Sequence, residues 1–334
     1  MPRLDQATTP SAPALQPRAK PERWRDLGQS YGALAGCILL FLFNCLFTPH
    51  FLTLETLGIN LQQMATTAIV ATGMTLVIGT GGIDLSVGSV MAIAGALGPI
   101  IFLHMDNQLL GNTLAILLPI LAACVCGAFN GWLITRFDIQ PIIATLILFI
   151  AGRGIAQVMT NGMNQEFVNP GFEWLGKGKL LGLPFQAYVM IVIVMFFMLV
   201  VRHTTFGRYI LATGGNASAA RLAGIPVART KLATYIIAGL LAGLAGLIVV
   251  ALNGQSNPSQ VGLNYELNAI AAVAVGGTPL IGGQAKIVGT FIGALIIQLI
   301  YTALVGNNVS ADIAQVINAA LILAAVYLQR QRKA

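Results

Sequence analysis

Histidine, cysteine and one near-match to a phosphate loop are the groups in this chain that could do chemistry, and none is arranged for it. His50, His104 and His203 lie far apart at the ends of apolar runs. That spacing offers neither a metal-ligand set nor a nucleophile with its base. Cys37, Cys45, Cys124 and Cys126 all sit inside apolar stretches, so no disulfide framework is indicated. Cys124 and Cys126 are two residues apart and would project from different helix faces, which argues against a redox or metal pair. Gly171 to Gly178 reads GFEWLGKG and approaches the phosphate-loop pattern, but Gly178 stands where a Mg²⁺-binding hydroxyl belongs. The segment follows no strand and opens no helix in the sequence pattern. No catalytic residue, metal site or bound cofactor is expected, and any energy from ATP must come from another subunit.

What remains is a set of glycine breaks and polar residues in apolar surroundings. GTGGIDLSVGS runs from Gly79 to Ser89, and VGGTPLIGG runs from Val275 to Gly283. Irregular backbone at membrane depth is tolerated only inside protein or along a water-filled cavity, and in transporters paired breaks of this sort mark a substrate path. On that reading Gly81, Gly82, Asp84 and Ser86, with Gly276, Gly277 and Thr278, form a path or gate. The plainer alternative is a pair of tight turns at the membrane surface, where Gly is expected anyway. Asp84 must face water, a helix N-terminus or a partner, or else cap the following helix with Ser86 or Ser89. Gln63, Thr66, Thr67, Thr75, Asn130, Thr145, Arg153, Gln157, Asn268 and Gln298 are polar within apolar stretches. They either line a path for a hydroxylated solute, with Thr75, Asn130, Gln157 and Asn268 the first choices, or join helices by hydrogen bonds. Arg153 reads as structural, paired with a carbonyl or an acid.

The elements that must position these residues are helices in lipid. The chain has 334 residues, of which 56% are hydrophobic and only 9% charged, and its mean hydropathy is +0.80. A water-facing surface needs roughly 25% charged residues, so lipid is the main solvent. The expected fold class is all-α: a polytopic membrane protein of about ten transmembrane helices interrupted by two glycine-rich breaks. Apolar segments fall at 31–49, 62–80, 87–104, 113–134, 141–159, 185–202, 232–253, 266–278, 287–305 and 312–328. The eighth is short. Residues 1–27, with five prolines, read as a disordered polar tail, residues 28–329 as one transmembrane domain, and residues 330–334 as a second tail.

Charge decides orientation. With ten spans, Arg3, Arg18, Lys20, Arg23, Arg25, Arg136, Arg202, Arg208, Arg221, Arg229, Lys231, Lys286, Arg330, Arg332 and Lys333 share one side. Only Lys177 and Lys179 lie on the other. The positive-inside rule then makes both termini cytoplasmic. The same distribution accounts for the net charge of +7 without nucleic acid as a partner.

On that cytoplasmic side, residues 203–231 form the longest loop. Gly214 and Gly215 break the chain, Asn216 is placed to cap a helix over Ala217–Ala223, Gly224 suits its end, and Pro226 prevents continuation. Such a small-residue helix either docks in a groove of a partner or lies on the membrane surface. Gly239 with Gly243, and Gly289 with Gly293, read as close helix packing.

At these residues the chain resembles the permeases of bacterial ATP-driven carbohydrate importers of the ribose/xylose/galactofuranose type. GMTLVIGTGGIDLSVGSVMAIAGA (73–96), ATGGNASAARLAGI (212–225) and AVAVGGTPLIGGQAKIVGT (272–290) carry the likeness, which extends from about residue 30 to 330. IQPIIATLILFIAGRGIAQVMT (139–160) is similar to the galactofuranose permeases in particular. The resemblance implies a permease in the bacterial inner membrane that moves a small aldose by alternating access. Its implied partners are a second permease chain, a cytoplasmic ATP-binding subunit that uses ATP and Mg²⁺, and a periplasmic sugar-binding protein. It assigns the ATPase contact to Gly214, Gly215, Asn216, Ala219, Ala220, Arg221, Gly224 and Ile225. A branched-chain amino acid permease and a self-sufficient secondary carrier are the rival expectations.

Overall fold

The computed structural model describes residues 23–310, 313–317 and 319–320, with residues 23–31 described by their backbone alone. The described chain is helical almost throughout: α1 (Arg23–Phe47), α2 (Leu54–Gly79), α3 (Val87–Leu103), α4 (Gln108–Arg136), α5 (Pro141–Met159), α6 (Pro170–Lys177), α7 (Phe185–His203), α8 (Thr205–Gly215), α9 (Ala217–Leu222), α10 (Val227–Asn253), α11 (Tyr265–Val275) and α12 (Ile287–Gly306). Residues 313–317 and 319–320 are also helical. The all-α expectation needs one amendment. Four two-residue strands pair into two short antiparallel ladders, β1 (Gln165–Glu166) with β4 (Gln255–Ser256) and β2 (Lys179–Leu180) with β3 (Leu183–Pro184).

Among the described residues, six helices are long and apolar enough to cross a membrane, namely α2, α4, α5, α7, α10 and α12. Shorter apolar helices cover Gly32–Phe47, Val87–Leu103 and Tyr265–Val275. The expected tenth span, 312–328, lies mostly outside the described residues, as do residues 1–22 and 330–334 of the expected tails. Residues 23–27, read as tail, belong to α1. The expected and observed edges of α5 coincide, because Pro141 sits at its first turn, where its missing N–H costs nothing. By contrast α2 starts eight residues ahead of the apolar run at 62, capped by the Thr53 hydroxyl, which accepts from the Thr56 N–H at 3.2 Å.

α2 and α10 are buried over most of their length, whereas α4, α5 and α7 are mostly half-buried or exposed. The centre of the bundle therefore includes two long helices rich in small residues. Close packing supplies what hydrophobicity cannot supply between helices already in lipid. A Cβ on Gly127 of α4 would collide with the Tyr235 carbonyl of α10, and one on Gly239 of α10 would meet the Ala123 carbonyl of α4. The expected Gly289–Gly293 contact works in the same way, against the carbonyls of Gly276 and Ala272 on the α11 side.

Two corrections concern loops. GFEWLGKG, expected to open no helix, lies almost wholly in one: Pro170–Lys177 forms α6, with Gly178 just past its end, and Asn169 caps it, its side chain accepting from the Phe172 N–H at 3.2 Å. Gly214 and Gly215 do not break the chain either. They are the last two residues of α8, and the turn comes at Asn216.

Candidate functional site: a glycine junction beneath a buried polar network

The two glycine breaks and the expected docking segment meet at one point. The Gly283 N–H donates to the Gly79 carbonyl at 3.1 Å, joining the end of α2 to the second break. Gly214 of α8 fits between them. A Cβ there would overlap the Gly79 carbonyl and come within 2.5 Å of the Gly283 nitrogen. Gly282 lies against Gly81 and the Gly214 carbonyl, where a Cβ would be 2.8 and 3.0 Å away. Three backbones approach this closely only because none of them carries a side chain. A Cβ on Gly215, one residue on, would point into open space.

From this junction α9 projects outward. Asn216 Oδ1 accepts from the Ala219 N–H at 2.9 Å at its start. At its end the Ile225 N–H reaches the Ala220 carbonyl and the Gly224 N–H reaches the Arg221 carbonyl, both at 3.0 Å, with Gly224 at φ +79°. That pair of bonds with a left-handed Gly is the Schellman end of a helix. Ala219, Arg221 and Gly224 are exposed, Ile225 is half-buried, and Ala220 is buried toward the bundle. Leu222 was not among the expected contact residues, yet it is 91% exposed. Its signal was available in the sequence: an apolar residue in a helix too short to turn it inward.

Above the junction the first break climbs into the bundle. Ser86 meets Asn130, six residues before the end of α4, and the Ile83 carbonyl meets the Tyr235 hydroxyl, eight residues into α10. At 1.5 Å per residue these places lie about 9–12 Å inside the helix ends. Asp84, Ser86, Asn130 and Thr145 are all buried there. Asp84 Oδ1 accepts from the Ser86 hydroxyl at 2.6 Å and the Ser86 N–H at 2.9 Å. Asn130 Nδ2 donates to the Ser86 Oγ at 2.8 Å, and the Thr145 hydroxyl accepts from the Leu85 N–H at 3.2 Å. The Asn130 Oδ1 is buried without a partner among the described residues. Asp84 therefore organises the strand-like entry to α3; no side chain, Ser86 included, caps the N-terminus of α3 itself.

A second irregular segment, 254–264, enters the bundle from the opposite end. Arg153, about 18 Å along α5, donates through Nη1 to the carbonyls of Pro258, Ser259 and Val261 at 3.0–3.2 Å. Its role is the structural one expected. Gly262, at φ +72°, then packs on the Gly88 carbonyl, beside the buried Glu266. The two segments thus approach from opposite ends and meet where α3 and α11 begin.

The remaining expected path residues are dispersed. The Thr75 hydroxyl pairs with that of Thr290 at 2.7 Å and so joins α2 to α12. Thr278 is buried, its hydroxyl accepting from the Lys286 N–H at 3.0 Å, and Gly277 turns the chain at φ +81°. Gln157 donates to Ser259 at 3.2 Å beside Arg153, far from Asp84, and Asn268 is half-buried on α11. Of the other polar residues, Gln298 joins Gln63 at 2.8 Å and Asn60 at 3.0 Å, and Thr66 meets Tyr265 at 3.0 Å. Gly81 and Gly82 belong to the junction and to the Tyr235 contact, and Gly276 packs on Gly289.

Among known proteins, a family model described as "Branched-chain amino acid transport system / permease component" matches residues 57–326. The ribose import permease protein RbsC of Escherichia coli is 39% identical over 90% of this chain and 94% of its own. The galactofuranose transporter permease protein YtfT of Escherichia coli is 38% identical over 90% of this chain and 89% of its own. RbsC of Bacillus subtilis is 38% identical over 96% of this chain and 98% of its own. Identity does not separate the ribose from the galactofuranose relatives. No solved structure matches the chain. Matched over residues 57–326 and carrying membrane-length helices, the chain belongs to the branched-chain amino acid transport system / permease component family, a family of transport components rather than enzymes.

Proposed function

We propose that the chain is the membrane-spanning subunit of an ATP-driven importer of a small aldose in the bacterial inner membrane. On this reading it has ten spans and cytoplasmic termini, and it pairs with a second permease chain. A cytoplasmic subunit hydrolyses ATP with Mg²⁺, and a periplasmic protein delivers the sugar. The observation that carries the reading is the glycine junction. Gly214, at the root of the exposed α9, touches the end of α2 and the second break at once. A push on α9 is therefore transmitted through bare backbone to both breaks, with no flexible side chain to absorb it. The described basic residues Arg136, Arg202, Arg208, Arg221, Arg229 and Lys286 sit at helix ends on the junction side, which supports a cytoplasmic α9.

Galactofuranose, favoured by residues 139–160, and ribose, named in several relatives, are the sugars to test first. Uptake of labelled galactofuranose, galactose, ribose and xylose into vesicles is expected to require the chain, its ATPase and its binding protein together. Uptake by the chain alone would establish a carrier instead. Competition by leucine but by no sugar would establish an amino acid permease.

A further inference from the structure

Where α7, α12 and the second glycine break meet, the fold leaves a cavity of about 350 Å³. Its polar end is formed by Arg202, in the last turn of α7, and Lys286, which precedes α12. Neither side chain has an ion pair or hydrogen bond among the described residues, and no carboxylate lines the cavity. Lys286 gives α12 no side-chain cap, and the N–H groups of Ile287, Val288 and Gly289, which also line the cavity, have no acceptor among the described residues. Among the described residues, the exposed Arg202 and the half-buried Lys286 are two unpaired cations beside the uncapped N-terminus of a 20-residue helix, and together they make an anion site. The remaining walls are apolar, with Ala33 from α1, Met198 and Val201 from α7, and Ile292 from α12.

We propose that this cavity holds an anionic phospholipid, its phosphate on Arg202, Lys286 and the first turn of α12, its acyl chain along Ala33, Met198 and Ile292. An inorganic anion would use only the polar end, whereas a phosphodiester bearing an acyl chain uses both, as basic pockets between membrane helices do. Gly276 is part of the same lining. A bound lipid therefore braces the second break, which continues to Gly282 and Gly283 at the junction. The inference rests only on the chain's being a multi-pass membrane protein, and it is independent of the sugar.

The test is native mass spectrometry of the full-length chain, delipidated and titrated with phosphatidylglycerol or phosphatidylcholine. One phosphatidylglycerol per chain should be retained, and phosphatidylcholine should not. The double variant R202Q/K286Q should lower that retention at least about tenfold, while Arg229→Gln, on the same side but outside the cavity, should not. Ala33→Phe, which fills the apolar wall and keeps both cations, should lower it as well. Undiminished retention in the double variant, or equal loss in Arg229→Gln, overturns the proposal. Undiminished retention in Ala33→Phe shows a site for a bare anion and overturns the lipid assignment.

Discussion

The Gly79 carbonyl accepts from the Gly283 N–H at 3.1 Å, so the end of α2 and the second glycine break, remote in sequence, share a backbone hydrogen bond. Gly214 of α8 is wedged against both. A junction of this kind transmits displacement because the Gly79, Gly214 and Gly283 backbones touch directly, with no side chain between them. Its geometry yields a contrast between two neighbouring glycines. Gly214→Ala puts a methyl group into the Gly79 carbonyl, whereas Gly215→Ala puts one into open space. Sugar uptake coupled to ATP should fall by at least about tenfold in the first, about 1.4 kcal/mol in the limiting barrier, and stay near wild type in the second. Uptake per inserted chain checks this. Equal behaviour of the two variants would remove the junction from the coupling path.

The end of α9 supplies the next expectation. Gly224 holds φ +79° between the two bonds that close the helix. A side chain there costs about 1–2 kcal/mol of left-handed strain, and relieving it unwinds the turn that presents Leu222. Gly224→Val should abolish coupled uptake while leaving membrane insertion intact. Normal uptake in that variant would contradict docking through α9.

Leu222 separates contact from fold. It is 91% exposed, so Leu222→Asp should change the melting temperature little, as surface substitutions do, typically within about 0.5 kcal/mol. Co-purification of the ATP-binding subunit should nevertheless drop sharply. If the pair co-purifies as before, α9 faces something else.

How much of this was legible beforehand depended on range. The edges of α5 and the caps of α9 are local facts, set by Pro141, Asn216 and Gly224, and a sequence states local facts directly. Where α2 begins was obscured because Thr53 and Glu55 start the helix in polar sequence, ahead of the apolar run. The meeting of Gly79, Gly214 and Gly283 is a fact of tertiary approach: each glycine could be read as a turn or a hinge, and nothing in one segment names the others. Thr75 and Gln157 were grouped as path residues because polarity in an apolar run looks alike everywhere. The fold sends one to Thr290 and the other to Ser259. The segment 254–264 was missed as a second entry into the bundle, although the shortness of α11 was its trace.

The buried network around Asp84 should reveal itself as stability. Ser86 gives Asp84 two hydrogen bonds, one of which, at 2.6 Å, belongs to the side chain, while Asn130 reaches the network only through the Ser86 hydroxyl. Ser86→Ala removes the hydroxyl contact to the carboxyl and also leaves the Asn130 amide without its acceptor. It should destabilise the chain by about 2–3 kcal/mol, since hydrogen bonds to a charged group and orphaned buried donors are the costly cases. Asn130→Ala leaves the Asp84 contacts standing and removes an Oδ1 that has no partner among the described residues, so its loss should be nearer ~1 kcal/mol. Denaturant unfolding of the purified variants in one detergent measures both. The ordering is the decisive feature: an Asn130→Ala loss equal to or above that of Ser86→Ala would mean that the amide, rather than the carboxyl, holds the entry to α3.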